Sequence, residues 1–230
     1  TLNRVVGNNP SSIYGQLTAN GQVFLVNPSG ILFSRTAQVD VGGLVASTLD
    51  ISDADFNAGK YTFINNGASG SVVNQGAINA NYAALLPPQV SNQGAIVARM
   101  GTVALAAGDR VNLDLVGDGL ISVNVDQAAV NANITNNGLI QADGGNVVLT
   151  ARSANALLDT VINTDGVIKA NSLVNRNGTI ILDGGNAGVV SVAGTLDTSG
   201  TGLGETGGSV TVLGDKVGLM AGAAVNVSGD

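Results

Sequence analysis

The sequence predicts an all-β chain built as a solenoid: a parallel β-helix with short antiparallel excursions. Three observations carry this. Apolar residues are 44% of the 230 residues, yet aromatics are only 3% and Trp is absent, so the core must be Val, Leu, Ile and Ala. Charged residues are 11%, less than half the usual share of about 25%. Glu occurs once and Lys three times, so the common surface helix formers are nearly missing. Third, short units bounded by Gly and Asn recur with a period of roughly 20 residues, the signature of a solenoid. Disorder is excluded, because the apolar fraction is high and the net charge is only −7.

Taken in order, the runs read as follows. Gln22–Val26 is a strand, Asn27-Pro28-Ser29-Gly30 a turn, and Ile31–Phe33 the next strand. Ala37–Val41 and Leu44–Ser47 read as two strands joined by a Gly42-Gly43 turn. Asp50–Asn66 is more polar and breaks the rhythm. Asn74-Gln75-Gly76-Ala77-Ile78 returns as Asn92-Gln93-Gly94-Ala95-Ile96 and as Asn136-Asn137-Gly138-Leu139-Ile140. Looser copies are Asp165–Ala170 and Asn177–Leu182. Tyr82–Pro88 reads as a bend before another coil. Arg110–Gln127 alternates with period 2 around Gly117-Asp118-Gly119, an antiparallel hairpin lying on the rod. A second unit, Gly144-Gly145-Asn146-Val147, returns at Gly207-Gly208-Ser209-Val210, with Gly184-Gly185-Asn186 placed about two periods after the first. Asn at the corners tolerates left-handed backbone, and its stacked amides can hydrogen-bond up the rod. Three short strands per coil would give roughly nine to eleven coils at about 4.8 Å each.

Composition removes several chemistries. With no Cys there is no disulfide, thiolate ligand or thiol nucleophile; with no His the usual triad base and commonest zinc ligand are gone. The acidic balance argues against a nucleic-acid partner. No apolar run approaches the roughly 18 residues of a membrane helix. Thr1-Leu2-Asn3-Arg4 opens in strand-like sequence rather than in a signal peptide, so the chain reads as a piece of something longer. Gly202–Gly207 fits the dinucleotide spacing but precedes a strand, not the required helix. Gly59-Lys60 lacks the rest of a P-loop, and Gly184–Gly188 lacks the Asp of a calcium β-roll. Asp114, Asp118 and Asp126 read as solvated hairpin positions rather than a calcium site. Asn133, Asn177 and Asn226 open glycosylation sequons that an Asn- and Thr-rich chain produces by chance. No catalytic, cofactor-binding or metal-binding residue is assigned.

The runs Leu2–Ser11, Gly15-Gln16-Leu17 and Asn20–Phe33 resemble the filamentous haemagglutinin family, specifically the N-terminal domain of two-partner secretion exoproteins. Asn27-Pro28-Ser29-Gly30-Ile31 matches that family's Asn-Pro-Asn-Gly-Ile signature with Ser at the third place. Ala46–Ile51, Val90–Arg99 and Gly101–Gly108 continue the likeness. The resemblance implies a right-handed β-helix, secreted or displayed at the surface of a Gram-negative bacterium as part of a large adhesin. It implies a partner: an outer-membrane Omp85-type transporter (TpsB) that recognises the domain through its POTRA domains. Host-cell or matrix glycans would be ligands of the full-length protein, with no membrane insertion. Residues 1–150 correspond to the secretion domain with its N-terminal cap missing, and 151–230 to continuing repeats.

Asn27, Pro28, Ser29, Gly30 and Ile31 have two readings. One is a tight turn, Pro presetting its first central position and Gly supplying positive φ. The other is part of a transporter-recognition surface. Two further functional classes stay open: a carbohydrate-active β-helix enzyme, against which the scattered Asp residues and missing Trp argue, and the export domain of a haemolysin or contact-dependent toxin.

Overall fold

The computed structural model describes residues 1–115, 120–154, 160–173 and 176–230. Within them, nearly all regular structure is strand, with one short helix, Asp53–Asn57. Each coil contributes one strand to an eight-stranded parallel sheet and one or two to a fourteen-stranded parallel sheet. The larger sheet folds into two arms. In the first coils, single long strands, Gln16–Val26 and Gln38–Ser47, run through both arms. From Ala77–Ala80 and Tyr82–Leu86 onward, each arm has its own strand. This is a parallel β-helix.

Inward side chains stack in columns because the parallel register is carried from rung to rung, and the irregularities at Ala19–Gln22 and Thr160–Ile162 leave the columns aligned. One column runs Leu17, Val39, Ile78, Ile96, Ile140, Ile168, Leu196, Val225. Another runs Ile31, Val72, Val90, Ile134, Ile162, Val190, Val217. All members of the second column except Val217 are buried.

A polar column stands among these. Asn74 Nδ2 donates to Asn92 Oδ1 at 2.9 Å, and Asn92 Nδ2 to Asn136 Oδ1 at 2.8 Å. Asn136 Nδ2 donates to Thr164 Oγ1 at 3.2 Å. All four residues are fully buried. The amide ladder expected from the repeated units therefore exists, and it lies inside the corner.

The non-repeating segments build a second core. Tyr61–Ile64, Arg110–Leu115 and Ile121–Gln127 form a three-stranded antiparallel sheet over the outer face of one arm. Beneath it lie Phe24, Val45, Ala84 and Ala104, packed against Phe63, Val111 and Val125 of the sheet itself. Phe24 meets Phe56 edge-on at 5.0 Å and stacks on Tyr61 at 5.3 Å. Arg4 ties the first strand to this layer, donating to Asp50 Oδ1 and Asp53 Oδ1, each at 2.9 Å, and to the Ile51 carbonyl. The hairpin expected over 110–127 is antiparallel as read; its tip, Gly117-Asp118-Gly119, lies outside the described residues.

Four readings of the sequence need correction. Tyr82–Leu86 is a strand, not a bend, and all five residues are buried. The excursion covers its outer face, so it reads as a continuous apolar run, as doubly covered strands do. The Tyr82 phenol is pushed above its usual pKa, chiefly by that burial. Gly42-Gly43 is not a turn but the middle of Gln38–Ser47. A Cβ on Gly42 would lie 2.6 Å from the Asn20 carbonyl oxygen, and one on Gly43 2.5 Å from the Tyr82 ring. Asn177–Leu182 belongs to the other arm, where Thr179 pairs with Asn146, and Gly184 follows that strand rather than preceding one. The described residues form eight rungs on the eight-stranded sheet, fewer than nine to eleven. Equivalent ladder residues stand 18, 44 and 28 apart, because excursions and corner loops lengthen the later coils.

Asn92→Ala should strand the Asn74 amide and the Asn136 carbonyl. Each orphaned group costs about 1–3 kcal/mol, and each kcal/mol is worth about 2–4 °C of Tm in a chain this size. Thermal unfolding of Asn92→Ala should fall accordingly, while Gln93→Ala on the exposed side stays within roughly ±0.5 kcal/mol of the parent. Equal melting of the two variants would show that the ladder contributes nothing.

Candidate functional site

Asn27 ends the strand Gln16–Val26, and Ile31 begins Ile31–Phe33. Between them the chain turns from the folded sheet into the eight-stranded one. The Gly30 N–H donates to the Asn27 carbonyl at 3.0 Å, closing a four-residue turn with Pro28 at its first central place. The Asn27 side chain reinforces it: Oδ1 accepts from the Ser29 N–H at 2.9 Å. Gly30 has φ +115°, a region L side chains rarely adopt. The tight turn read from the sequence, with Pro28 at its first central position and Gly30 at positive φ, is present.

Neighbouring coils then clamp the turn. Asn27 Nδ2 donates to the Asn9 carbonyl at 3.0 Å and to Ser11 Oγ at 2.8 Å. The Ser11 N–H donates to the Gly30 carbonyl at 2.9 Å. From the other side, the Asn27 N–H donates to Ser47, the Gly70 N–H to the Pro28 carbonyl, and the Ile31 N–H to Ser71. Gly70 lies directly against the turn: a Cβ there would stand 2.3 Å from the Gly30 nitrogen.

Asn27, Gly30 and Ile31 are buried, Ile31 within the main core; Pro28 and Ser29 are half-buried. The folded turn therefore shows a partner the edges of Pro28 and Ser29 and little else. None of the five side chains titrates, so protonation does not control the turn's shape. Sequence reading missed Gly70, Asn9 and Ser11. Gly70 is reached across the 48–70 excursion, which no local pattern reveals. For Asn9 and Ser11 a signal existed: Asn9-Pro10-Ser11 repeats the tripeptide Asn27-Pro28-Ser29.

The other candidate positions stay apart from the turn. Asp126 accepts from the amides of Asn112 and Asn124, and Asp114 faces solvent; Asp118 lies outside the described residues. Among the described residues, no group of three or more acidic side chains is placed to hold a metal ion. The strand Ser209–Leu213 follows Gly207, as the rejection of a nucleotide loop required.

Comparison with known proteins places these features. A family model described as the TPS secretion domain matches residues 1–201. A heme/hemopexin-binding protein of Haemophilus influenzae strain Rd is 34% identical over 190 residues, covering 78% of this chain and 21% of that protein. A second heme/hemopexin-binding protein of Haemophilus influenzae is 30% identical over 208 residues, covering 80% and 22%. The chain thus spans about a fifth of the length of these curated relatives. The crystal structure of the HMW1 secretion domain from Haemophilus influenzae superposes with a TM-score of 0.86 at 31% identity, covering 98% of this chain and 59% of that one.

Gly30→Ala should lose about 1–3 kcal/mol through backbone strain. Gly70→Ala should lose more, since its Cβ would collide with rigid backbone at 2.3–2.6 Å. Chemical denaturation of both variants tests the order, and a Gly70→Ala protein as stable as the parent would overturn the clamped geometry.

Proposed function

The chain belongs to the TPS secretion domain family, and from that premise we propose that it is read by POTRA domains of an outer-membrane transporter through a signature that acts first by shaping the coil. The chain is the export-directing domain of a two-partner-secreted exoprotein of a Gram-negative bacterium, and its partner is a TpsB transporter. The family directs secretion; it is not one known for catalysis.

The observation that carries the finer reading is the burial of Asn27, Gly30 and Ile31. Their side chains and backbone hold three coils together. Direct contact in the folded domain falls to Pro28 and Ser29. Folding outside the cell, one coil laid on the last, supplies a direction for export in a compartment without ATP, because each new coil finds its register already set by the columns beneath. Residues 151–230 serve, in this reading, as continuing coils of the same β-helix.

The full-length protein is an adhesin-like exoprotein in this proposal, with host-cell or matrix glycans as ligands. Heme or hemopexin binding, named for the Haemophilus relatives, would need groups beyond this stretch or other than imidazole and thiolate, since these 230 residues contain neither His nor Cys.

Asn27→Ala with Gly30→Ala in the full-length protein should reduce the amount found outside the cell. Purified, the double variant should melt earlier while keeping its affinity for the isolated POTRA domains below its melting temperature. Loss of affinity with unchanged melting would instead make the turn a contact surface. Normal secretion with normal melting would place the functional signature at another turn.

A further inference from the structure

The antiparallel layer ends part-way along the rod, and its last strand, Ile121–Gln127, pairs on one side only. The far edge of the layer is closed: the Asp50 N–H donates to the Ile64 carbonyl at 2.9 Å, and the Ile64 N–H to the Asp50 carbonyl at 2.8 Å. Those two bonds fix the phase of the whole layer. Ile64 faces Asp50, so Phe63 and Tyr61 bond to Val111 and Leu113, while Asn112 and Asp114 bond to Asn124 and Ser122. Val123 then turns its N–H and carbonyl to the open side. The Ile121 N–H points the same way and donates to Thr102 Oγ1 at 3.1 Å. Among the described residues no strand pairs with this edge. The bulge opposite Arg110 and Val111 limits the regular stretch to Ile121–Val125. That stretch holds no Pro or Lys, the residues that commonly blunt an exposed edge.

Beneath the open side the rod supplies a floor. Ile121 stands over Thr102 and Val125 over Gly108, so this strand runs along Thr102–Ala107. The next position in the layer lies over Asn146–Ala151, the following rung. The outward column of that arm reads Phe24, Val45, Ala84, Ala104, Val148, Ile181, Thr211. Its first four members are buried under the layer. Val148 and Ile181 are half-buried with no strand above them, and Thr211 is exposed. The apolar column therefore outruns its cover by two rungs. Leu139 and Val167 are half-buried on the other arm too, but no backbone edge stands above them. The other free edges lie at the two ends of the rod. Among the described residues, only this edge stands at the side of the rod above an apolar floor.

We propose that this step receives an extended segment of a partner protein as a fourth strand, with aliphatic residues facing Val148 and Ile181 and basic residues facing out. Main-chain bonds to Val123 supply affinity, and alternate side chains supply selectivity. The floor sets the inner face: layers about 10 Å apart leave room for one interdigitated row of aliphatic side chains. Charge sets the outer face. Asp114 and Asp126 are exposed on the outside of the layer, and Asp126 belongs to the strand that the segment would border. With a net charge of −7, the chain repels an acidic segment and attracts a basic one. A second copy does not fit. Pairing two equivalent edges about a two-fold axis would put both rods on one side of the joined layer. There the strands Asn146–Ala151, Thr179–Asp183 and Ser209–Leu213 already stand. The occupant is therefore a strand with nothing backing its inner face. The proposal is independent of how the turn at Asn27 acts.

Titration of the 230-residue chain with the capped peptide Thr-Val-Lys-Val-Lys-Val-Lys-Val-Thr, followed by amide and methyl NMR, tests it. The shifts should saturate and centre on Ser122–Asp126, Val148 and Ile181. The Val123 N–H should exchange with solvent at least tenfold more slowly in the complex. Glutamate in place of the peptide's lysines should weaken binding at least tenfold. A strand bonds to one neighbour through alternate residues, so N-methylating either the valines or the lysines should abolish binding and the other should spare it. Val148→Lys should weaken binding at least tenfold with unchanged melting, whereas Leu139→Lys on the other arm should bind as the parent does. Asp126→Asn gives a second test on the outer face, with an expected loss of threefold or more. Absence of saturable shifts, shifts centred on the ends of the rod, an unprotected Val123 N–H, equal effects of the two N-methylations, equal affinity for the glutamate peptide, or full binding by either Val148→Lys or Asp126→Asn would overturn the proposal.

Discussion

At two corners of the solenoid one position on each coil admits no side chain, and most of the structure follows from that. Gly76, Gly94, Gly138, Gly166 and Gly194 stack at one corner, each placed so that a Cβ would come within about 1.9–2.6 Å of a carbonyl oxygen in the coil before it. Gly145 and Gly208 do the same at another, against Gly101 and Gly178. Backbone can follow backbone this closely only if every coil turns at the same place. That shared turning point fixes the parallel register, and the register puts isoleucine over isoleucine and asparagine over asparagine. The amide and aliphatic columns are thus consequences of corners where coils touch main chain to main chain.

The excursions answer a problem the corners create. A coil that turns tightly has two faces on each arm, and in the first five coils the outer face is apolar too. Phe24, Val45, Ala84 and Ala104 would face water without the antiparallel sheet above them. Burying both faces makes this half of the rod a two-layer structure, while the later coils, with Thr211 and Asp183 outward, stand as a single layer. Arg4 joins the two parts of the design, linking the first strand to the carboxylates and carbonyl that open the excursion.

How far this was legible in the sequence depended on whether a residue type had one physical use or two. Asn74, Asn92 and Asn136 recur with the same neighbours because identical corner geometry selects them, and reading them gave the fold. Glycine has two uses, left-handed turns and close approach, and Gly42-Gly43 was misread because local pattern cannot separate these. Tyr82–Leu86 was misread for a different reason: its outer cover comes from strands 18 or more positions away on either side. The same limit applies to the candidate turn. The roles of Asn27 and Gly30 are local and could be read; Gly70, pressed on the turn from beyond an insertion, could not.

The buried amide column has a consequence for how such a rod is assembled without mistakes. Aliphatic columns are forgiving, since valine stacks on leucine or isoleucine almost equally well. An amide is not. A coil laid down two residues out of phase would set Asn92 against hydrocarbon and leave its neighbours' donors empty. At about 1–3 kcal/mol for each orphaned group, one such error is disfavoured by roughly five- to a hundredfold before any other contact is counted. The ladder works as a parity check written into the interior: it adds little that hydrophobic packing lacks when the coil is right, and it rejects the coil when it is wrong. A chain that must find its shape in one pass, with no chaperone cycle to undo a slip, gains most from residues of this kind.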